Sequence, residues 1–271
     1  MARSYADQLE LAARVTEPAI RQAIQALALP ANSRGLDAGC GIGTHARQLC
    51  EAIGGRVTGL DIQADHLAAA RQGAKQSPQA MRIDFVEGSI AELPFEDGAF
   101  DWVWCADTLW PVSVAEPVAV VGELARVVRP GGTLALLYWT SQSLLPGYPQ
   151  LEARLNQVFV QHTHYFELAE PARHHLRALG WLRAAGLCEP RAQSFVAEHQ
   201  APLSDEMRDA IAFCFSMFWE EHKPHLSAQD RAELERICSP GSEDFILDSP
   251  DYYCFLTYTL FCARVAGSGH G

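Results

Sequence analysis

The sequence predicts an α/β fold: a doubly wound, mostly parallel sheet of seven strands with helical insertions. Three observations predict it. Short apolar runs alternate with amphipathic helical stretches between residues 34 and 140, as in successive βαβ units. The first run passes straight into a glycine-punctuated turn and a helix, "GLDAGCGIGTHARQL" at 35–49. The fifth, "GTLALLYW", is apolar nearly throughout, as a strand covered on both faces requires.

The elements follow in order. A helical segment occupies 1–30; "PAIRQAIQALAL" spaces Ile20, Ala23, Ile24 and Leu27 along one face. Thr16 reads as its cap and Pro18 as a first-turn residue, and Pro30 ends it. "RGLDAG" is a strand and "THARQLCEAIG" a helix closed by glycine. "GRVTGLDI" is a strand, "ADHLAAARQGAKQ" a helix, "MRIDFVEG" a strand and "FDWVWCAD" a fourth. "VAEPVAVVGELARVVRPGG" is the next helix, leading into the fifth strand. After Trp139 the rhythm breaks. "RHHLRALGWLRAAGL" is again a helix, "RAQSFVAEH" a strand, 202–236 helical, "SPGSEDFILDSP" a loop and "YYCFLTYTLFCARV" the last strand. The reading is one domain over 1–271, with its core at about 32–140, 172–200 and 251–265 and cap insertions at about 141–171 and 202–250. Insertions beyond the strand ends of such a sheet commonly shape a binding site.

Composition narrows the function. The 271 residues are 48% apolar and 20% charged, enough for a core without disulfide or metal staples. A net charge of −12 with no Lys/Arg cluster argues against nucleic acid or an anionic membrane as partner. The eight cysteines form no C-x-x-C pair, and several sit in apolar runs, the usage of reduced, buried thiols in the cytoplasm. A thiol-bound metalloid is the sharper alternative. The N-terminus has no signal-peptide core, and no run reaches the ~18 apolar residues of a membrane span. No metal-ligand spacing such as H-E-x-x-H occurs, so no metal is expected.

The chemistry concentrates at Gly39, Gly41 and Gly43. Glycines there let the chain turn sharply and let a ligand approach the backbone, with a helix N-terminus behind. A dinucleotide fingerprint, G-x-G-x-x-G/A, is the rival, but Thr44 stands at its third glycine. Asp37, just ahead of the loop, would repel a pyrophosphate and could hold a cation. Asp61 ends the second strand, where a carboxylate can accept from both ribose hydroxyls; capping the next helix is its structural alternative.

At these residues the chain resembles the class I S-adenosylmethionine-dependent methyltransferases, nearest the ubiquinone-biosynthesis-like small-molecule branch. "GLDAGCGIGTHARQL" resembles their first motif and "VTGLDIQADHLAAAR" their second. "VEGSIAELPFEDGAFDWVWCADTLW" is similar to the third and fourth, and "ELARVVRPGGTLALLYW" to the helix and strand beyond. The resemblance covers about 34–140, extends more loosely through 172–199 and 251–265, and implies a Rossmann-like sheet. It implies that Gly39, Cys40, Gly41 and Gly43 pack against the methionine and ribose, with Asp37 near the methionine amino group. Asp61 would hold the ribose and Ile62 would lie against the adenine. Ser89 and Ile90 would border the adenine edge, and the Cys105 carbonyl would meet the amino group. The chain departs from the group in two places: Ser89 stands where the group usually has an acid, and Trp110 and Pro111 where it often has two histidines.

Transfer of a sulfonium methyl is an in-line displacement, for which a protein mainly supplies alignment. A base is needed only where the acceptor must lose a proton, and no catalytic residue is assigned. Trp110 faces the acceptor or packs the core. Tyr5, His164 and Tyr165 are acceptor-side candidates, set against an unanchored terminus and ordinary surface histidines. The aromatic insertions suit a closed pocket, a self-buried cap or a homodimer face. The expected function is methyl transfer from S-adenosylmethionine to a small organic acceptor at carbon, oxygen or nitrogen. A non-catalytic module binding the cofactor or its product is the alternative, followed by an NAD(P)-dependent oxidoreductase.

Overall fold

The computed structural model describes residues 5–110, 116–164 and 170–267. The strands are β1 (Arg34–Ala38), β2 (Arg56–Asp61), β3 (Ile83–Glu87), β4 (Phe100–Ala106), β5 (Val128–Ser143), β6 (Cys188–Gln200) and β7 (Tyr253–Arg264). The α-helices are α1 (Tyr5–Leu27), α2 (Thr44–Ile53), α3 (Ala64–Lys75), α4 (Pro117–Arg126), α5 (Pro149–His162), α6 (Ala178–Ala184), α7 (Asp205–Trp219) and α8 (Ala228–Cys238).

All seven strands form one sheet in the order β3-β2-β1-β4-β5-β7-β6. β3 through β5 pair in parallel. β7 runs antiparallel to β5, since Gly131 N–H donates to the Val265 carbonyl and Val265 N–H to that of Gly132. The chain winds outward from β1 to β3 and returns to β4 on β1's other side. The carboxyl ends of β1 and β4 therefore flank a topological switch point, where open α/β sheets bind ligands.

The chain divides into two compact units: 20–139, 169–195 and 258–271 in one, 1–19, 140–168 and 196–257 in the other. In the first, one sheet face packs Leu36, Val103, Leu134 and Leu136 against Val120, Val121 and Leu124 of α4 and Ala178, Trp181 and Leu182 of α6. Each such fully buried aliphatic side chain contributes about 1.5–3 kcal/mol. α2 buries Leu49, Cys50 and Ile53, and α3 buries Leu67, Ala70 and Ala74. Gly35 is required by packing: a Cβ there would lie 2.0 Å from the Trp102 indole.

The second unit is held by side chains from its helices. Glu152 of α5, buried, accepts from the N–H groups of Leu144 at 2.6 Å and Leu145 at 3.3 Å. Arg154 pairs with Asp230 at 2.7 Å. The Trp219 indole donates to Asn156 Oδ1 at 3.1 Å, and Phe159 meets Phe218 edge-on.

Several local expectations change. Pro18 lies inside the 23-residue α1, not in its first turn, and Thr16 is no cap: its hydroxyl donates back to the Ala12 and Ala13 carbonyls. Burial of Val15, Ala19, Ile20, Ala23, Ile24 and Leu27 along one stripe outweighs the proline's missing N–H. α4 stops at Arg126 because Val128 already pairs with Phe100. β5 continues past Trp139 to Ser143. The helix expected around 173–187 is a short 3-10 turn followed by α6, and the helical stretch after 202 is α7 and α8 with a 3-10 turn, Lys223–His225, between them.

Candidate active site

The loop after β1 carries three consecutive odd-numbered glycines with positive φ: 76° at Gly39, 51° at Gly41 and 75° at Gly43. The N–H groups of Gly39 and Cys40 both donate to the Leu60 carbonyl, at 2.7 and 2.9 Å. A Cβ on Gly39 would stand 2.3 Å from Thr108 Oγ1, so the loop lies directly against the turn after β4. A Cβ on Gly43 would reach the Phe85 ring at 2.8 Å. Gly43 opens α2 with no side-chain cap, leaving the helix N-terminus to backbone donors.

Two carboxylates flank this loop. Asp37, between Gly59 and Trp104 in the sheet, is 1% exposed, and its Oδ2 has no hydrogen-bond partner. Burial, and then repulsion from Asp61, push its carboxyl up to about 8, offset by a hydrogen bond from the Ala46 backbone. A buried acceptor without a donor suits a ligand that brings a cation. Asp61 Oδ2 accepts from Gly41 N–H at 2.8 Å, and its Oδ1 from Gln63 N–H at 2.9 Å; His66 Nδ1 lies 3.3 Å from Oδ1. Asp61 thus ties the loop to β2 and forms a turn to Gln63, but it does not cap α3, whose N-cap is Gln63 itself with no side-chain cap bond. Next to it Ile62 is an aliphatic side chain 64% exposed to solvent.

The remaining candidates fall on both units. Ser89 Oγ accepts from Ala91 N–H at 3.1 Å, and Ile90 packs partly buried against the sheet core. The Cys40 and Cys105 thiols are buried, and burial raises both pKa values, so neither is a thiolate nucleophile. Trp110 packs against Tyr138 and His175, with ring centroids 5.5 and 5.1 Å away, and donates its indole N–H to the Asp107 carbonyl. Burial, and then neighbouring His174, hold His175 down to about 4, so it is a neutral packing partner. Tyr5 begins α1 and His164 follows α5, both in the second unit. Tyr165 and Pro111 lie outside the described residues. Among the described residues no group of three or more His, Cys, Asp or Glu is arranged to hold a metal ion.

Three residues at this end escaped the sequence. Asp107 follows β4 with φ 48° and accepts from Trp139 N–H at 3.0 Å and the Tyr258 hydroxyl at 2.8 Å. Burial pushes its carboxyl up to about 6 against those two donors. Thr108 donates to the Ala106 carbonyl at 2.7 Å, within reach of Gly39. An acid closing the apolar run "FDWVWCAD" was the available signal for Asp107; nothing in the sequence linked it to Tyr258.

The sequence profile of the family described as "Methyltransferase domain" matches residues 36–132, which span the loop, both acids and the turn after β4. A demethylmenaquinone methyltransferase of Lysinibacillus sphaericus is 38% identical over 127 residues, 46% of this chain and 52% of that protein. The chain thus spans about half the length of the first curated relatives it matches. The YcgJ protein of Bacillus subtilis superposes with a TM-score of 0.54 at 18% identity, covering 92% of this chain and 99% of that one. Geranyl diphosphate C-methyltransferase of Streptomyces coelicolor, solved with S-adenosylhomocysteine, gives 0.51 at 16% identity over 90% of this chain and 77% of that one. These two likenesses speak to the fold; the family match shows that the segment 36–132, which holds the loop and the paired acids, is similar to the methyltransferase domain.

Proposed function

We propose that the protein transfers a methyl group from S-adenosylmethionine to a small organic acceptor. The observation that carries this reading is Asp37, a buried carboxylate with an unpartnered oxygen beneath a glycine loop at the sheet's switch point. Asp37 would meet the cationic methionine amino group, directly or through water, together with the Cys105 carbonyl. The loop from Gly39 through Cys40 and Gly41 to Gly43, at the carboxyl end of β1 and ahead of the α2 N-terminus, would receive methionine and ribose. Asp61 would accept from the ribose hydroxyls. Ile62 offers an exposed aliphatic surface to the adenine, with Ser89 and Ile90 at its edge. The bound donor supplies an already activated methyl group; the chain's residues supply its alignment.

An oxidoreductase reading meets an obstacle in the loop itself, where Thr44 stands at the third glycine of a dinucleotide fingerprint. The non-catalytic module differs only in turnover. Calorimetry with S-adenosylhomocysteine tests the site, and release of S-adenosylhomocysteine from S-adenosylmethionine across a panel of phenols, amines and enols tests the enzyme. Tight binding without turnover on any of them would favour the module. The cytoplasm suits the reading, because it holds the donor and keeps thiols reduced; the described cysteines are all unpaired, and no described helix is long and apolar enough to cross a membrane.

A further inference from the structure

The loop 239–252, between α8 and β7, and the turn 146–148 ahead of α5 have no part in the donor site. Together they line a cavity of about 430 Å³, a volume in the range of small-molecule sites. All of its lining residues belong to the second unit. Its floor is apolar: Phe245, Ile246 and Tyr252 are buried, and the Tyr252 hydroxyl is engaged by the Leu144 carbonyl at 3.1 Å. Its rim is anionic. Glu243, Asp244, Asp248 and Asp251 line it, all four exposed, and no described Lys, Arg or His joins them. The walls show what such a lining holds. Arg236 stands 6.0 Å over the Tyr148 ring and pairs with Asp244 at 3.1 Å. Arg208 stands 5.7 Å over the Phe245 ring and pairs with Asp248. An aromatic face beside a carboxylate thus holds a cation twice around this cavity. Those two arginines answer two of the four acids. Asp251 accepts from the Ser249 hydroxyl, and neither it nor Glu243 has a basic partner among the described residues. Two negative charges are left over at the mouth of an apolar hollow.

We propose that this cavity is a binding site for a small protonated amine with an apolar body. The ammonium group meets Glu243 and Asp251, and the body lies on Phe245, Ile246 and Tyr252. A neutral ligand would leave the two charges unanswered, and an anion would be repelled. A metal ion does not fit, because among the described residues no three ligating groups converge here. The two parts of the lining have different tasks. The floor supplies affinity by covering the apolar body. The rim selects the sign of charge, and because its carboxylates are exposed, salt screens that selection. The site gives the second unit a ligand of its own, one that does not depend on the methyl-transfer reading, and its occupant would tie the loop 239–252 to the turn 146–148.

The test titrates the full chain with 2-phenylethylamine, and with 2-phenylethanol and 3-phenylpropionate as its neutral and anionic counterparts. In 15N-labelled protein the amine shifts the amide resonances of 147–148 and 243–252 saturably. The alcohol binds more weakly, and the anion more weakly still. Added salt reduces the binding of the amine and leaves that of the alcohol unchanged. Glu243→Gln combined with Asp251→Asn weakens amine binding about tenfold, the sum of two exposed charge contacts, and removes the preference for amine over alcohol. Asp84→Asn, which removes an exposed acid from β3 in the first unit, leaves amine binding as in wild type. The proposal is overturned if millimolar amine shifts none of these resonances, if the alcohol binds wild type as well as the amine does, or if the double variant keeps wild-type affinity. Equal losses in Asp84→Asn and the double variant also overturn it, since they would report net charge and not this cavity. The three-compound comparison on wild type decides the matter even where a variant folds poorly.

Discussion

Gly41 donates its backbone N–H to Asp61 Oδ2 at 2.8 Å, so the middle of the glycine loop is tethered to the end of β2. Asp61 therefore shapes the loop, and in the proposed donor site it would also accept from the ribose hydroxyls. Asp61→Ala is expected to weaken S-adenosylhomocysteine binding by about 1–3 kcal/mol, the cost of leaving polar partners unpaired. Calorimetry giving an unchanged affinity would remove Asp61 from the donor site.

Asp37 predicts a pH dependence with a definite sign. Its folded pKa of about 8 lies above the ordinary 3.8, so the folded chain retains a proton that the unfolded chain has lost. Its contribution to stability is complete below about pH 3.8, falls as pH rises between the two values, and is constant above about 8. Asp37→Asn should flatten that slope and be relatively more stable at pH 8 in denaturant titrations. A cationic ligand favours the ionised acid, so binding of S-adenosylhomocysteine at pH 7 should release a proton. Equal binding enthalpies in buffers of different ionisation heat would count against this.

Gly39 combines a positive φ with close contact. Gly39→Ala adds an L side chain in the left-handed region, costing about 1–2 kcal/mol, and pushes against Thr108. Thermal melts should show a folded, less stable protein with impaired product binding. Full affinity in this variant would argue that the loop is not the donor cradle.

Glu152 should matter to the second unit alone. Glu152→Ala leaves the buried N–H groups of Leu144 and Leu145 without an acceptor, each worth about 1–3 kcal/mol. Hydrogen exchange should accelerate across 140–162 while β1 and α2 stay protected; uniform acceleration throughout the chain would show that the units open together.

The βαβ run through β5 was legible because each element carries its own pattern, apolar runs for covered strands and single-faced stripes for helices. The loop was legible because glycine takes the positive φ values at 39, 41 and 43 without strain, and at 39 and 43 a Cβ would also meet a close neighbour. α1 was misjudged because Pro18 is a local signal, whereas the buried stripe from Val15 to Leu27 gains its energy from packing elsewhere. Trp110 stood open between acceptor and core; its rings of contact with Tyr138 and His175 bring together residues far apart in the chain.

By itself the sequence determined the sheet's parallel half, the glycine turn and the acids on either side of it, since backbone conformation and short-range spacing are local properties. Only the tertiary structure decided that Asp37 has one unpartnered oxygen and a raised pKa, because desolvation depends on everything packed around it. It also decided that Asp107 meets Tyr258, 151 positions along the chain. That contact exists because the sheet order sets β7 beside β5, and no local pattern encodes the order in which strands pair.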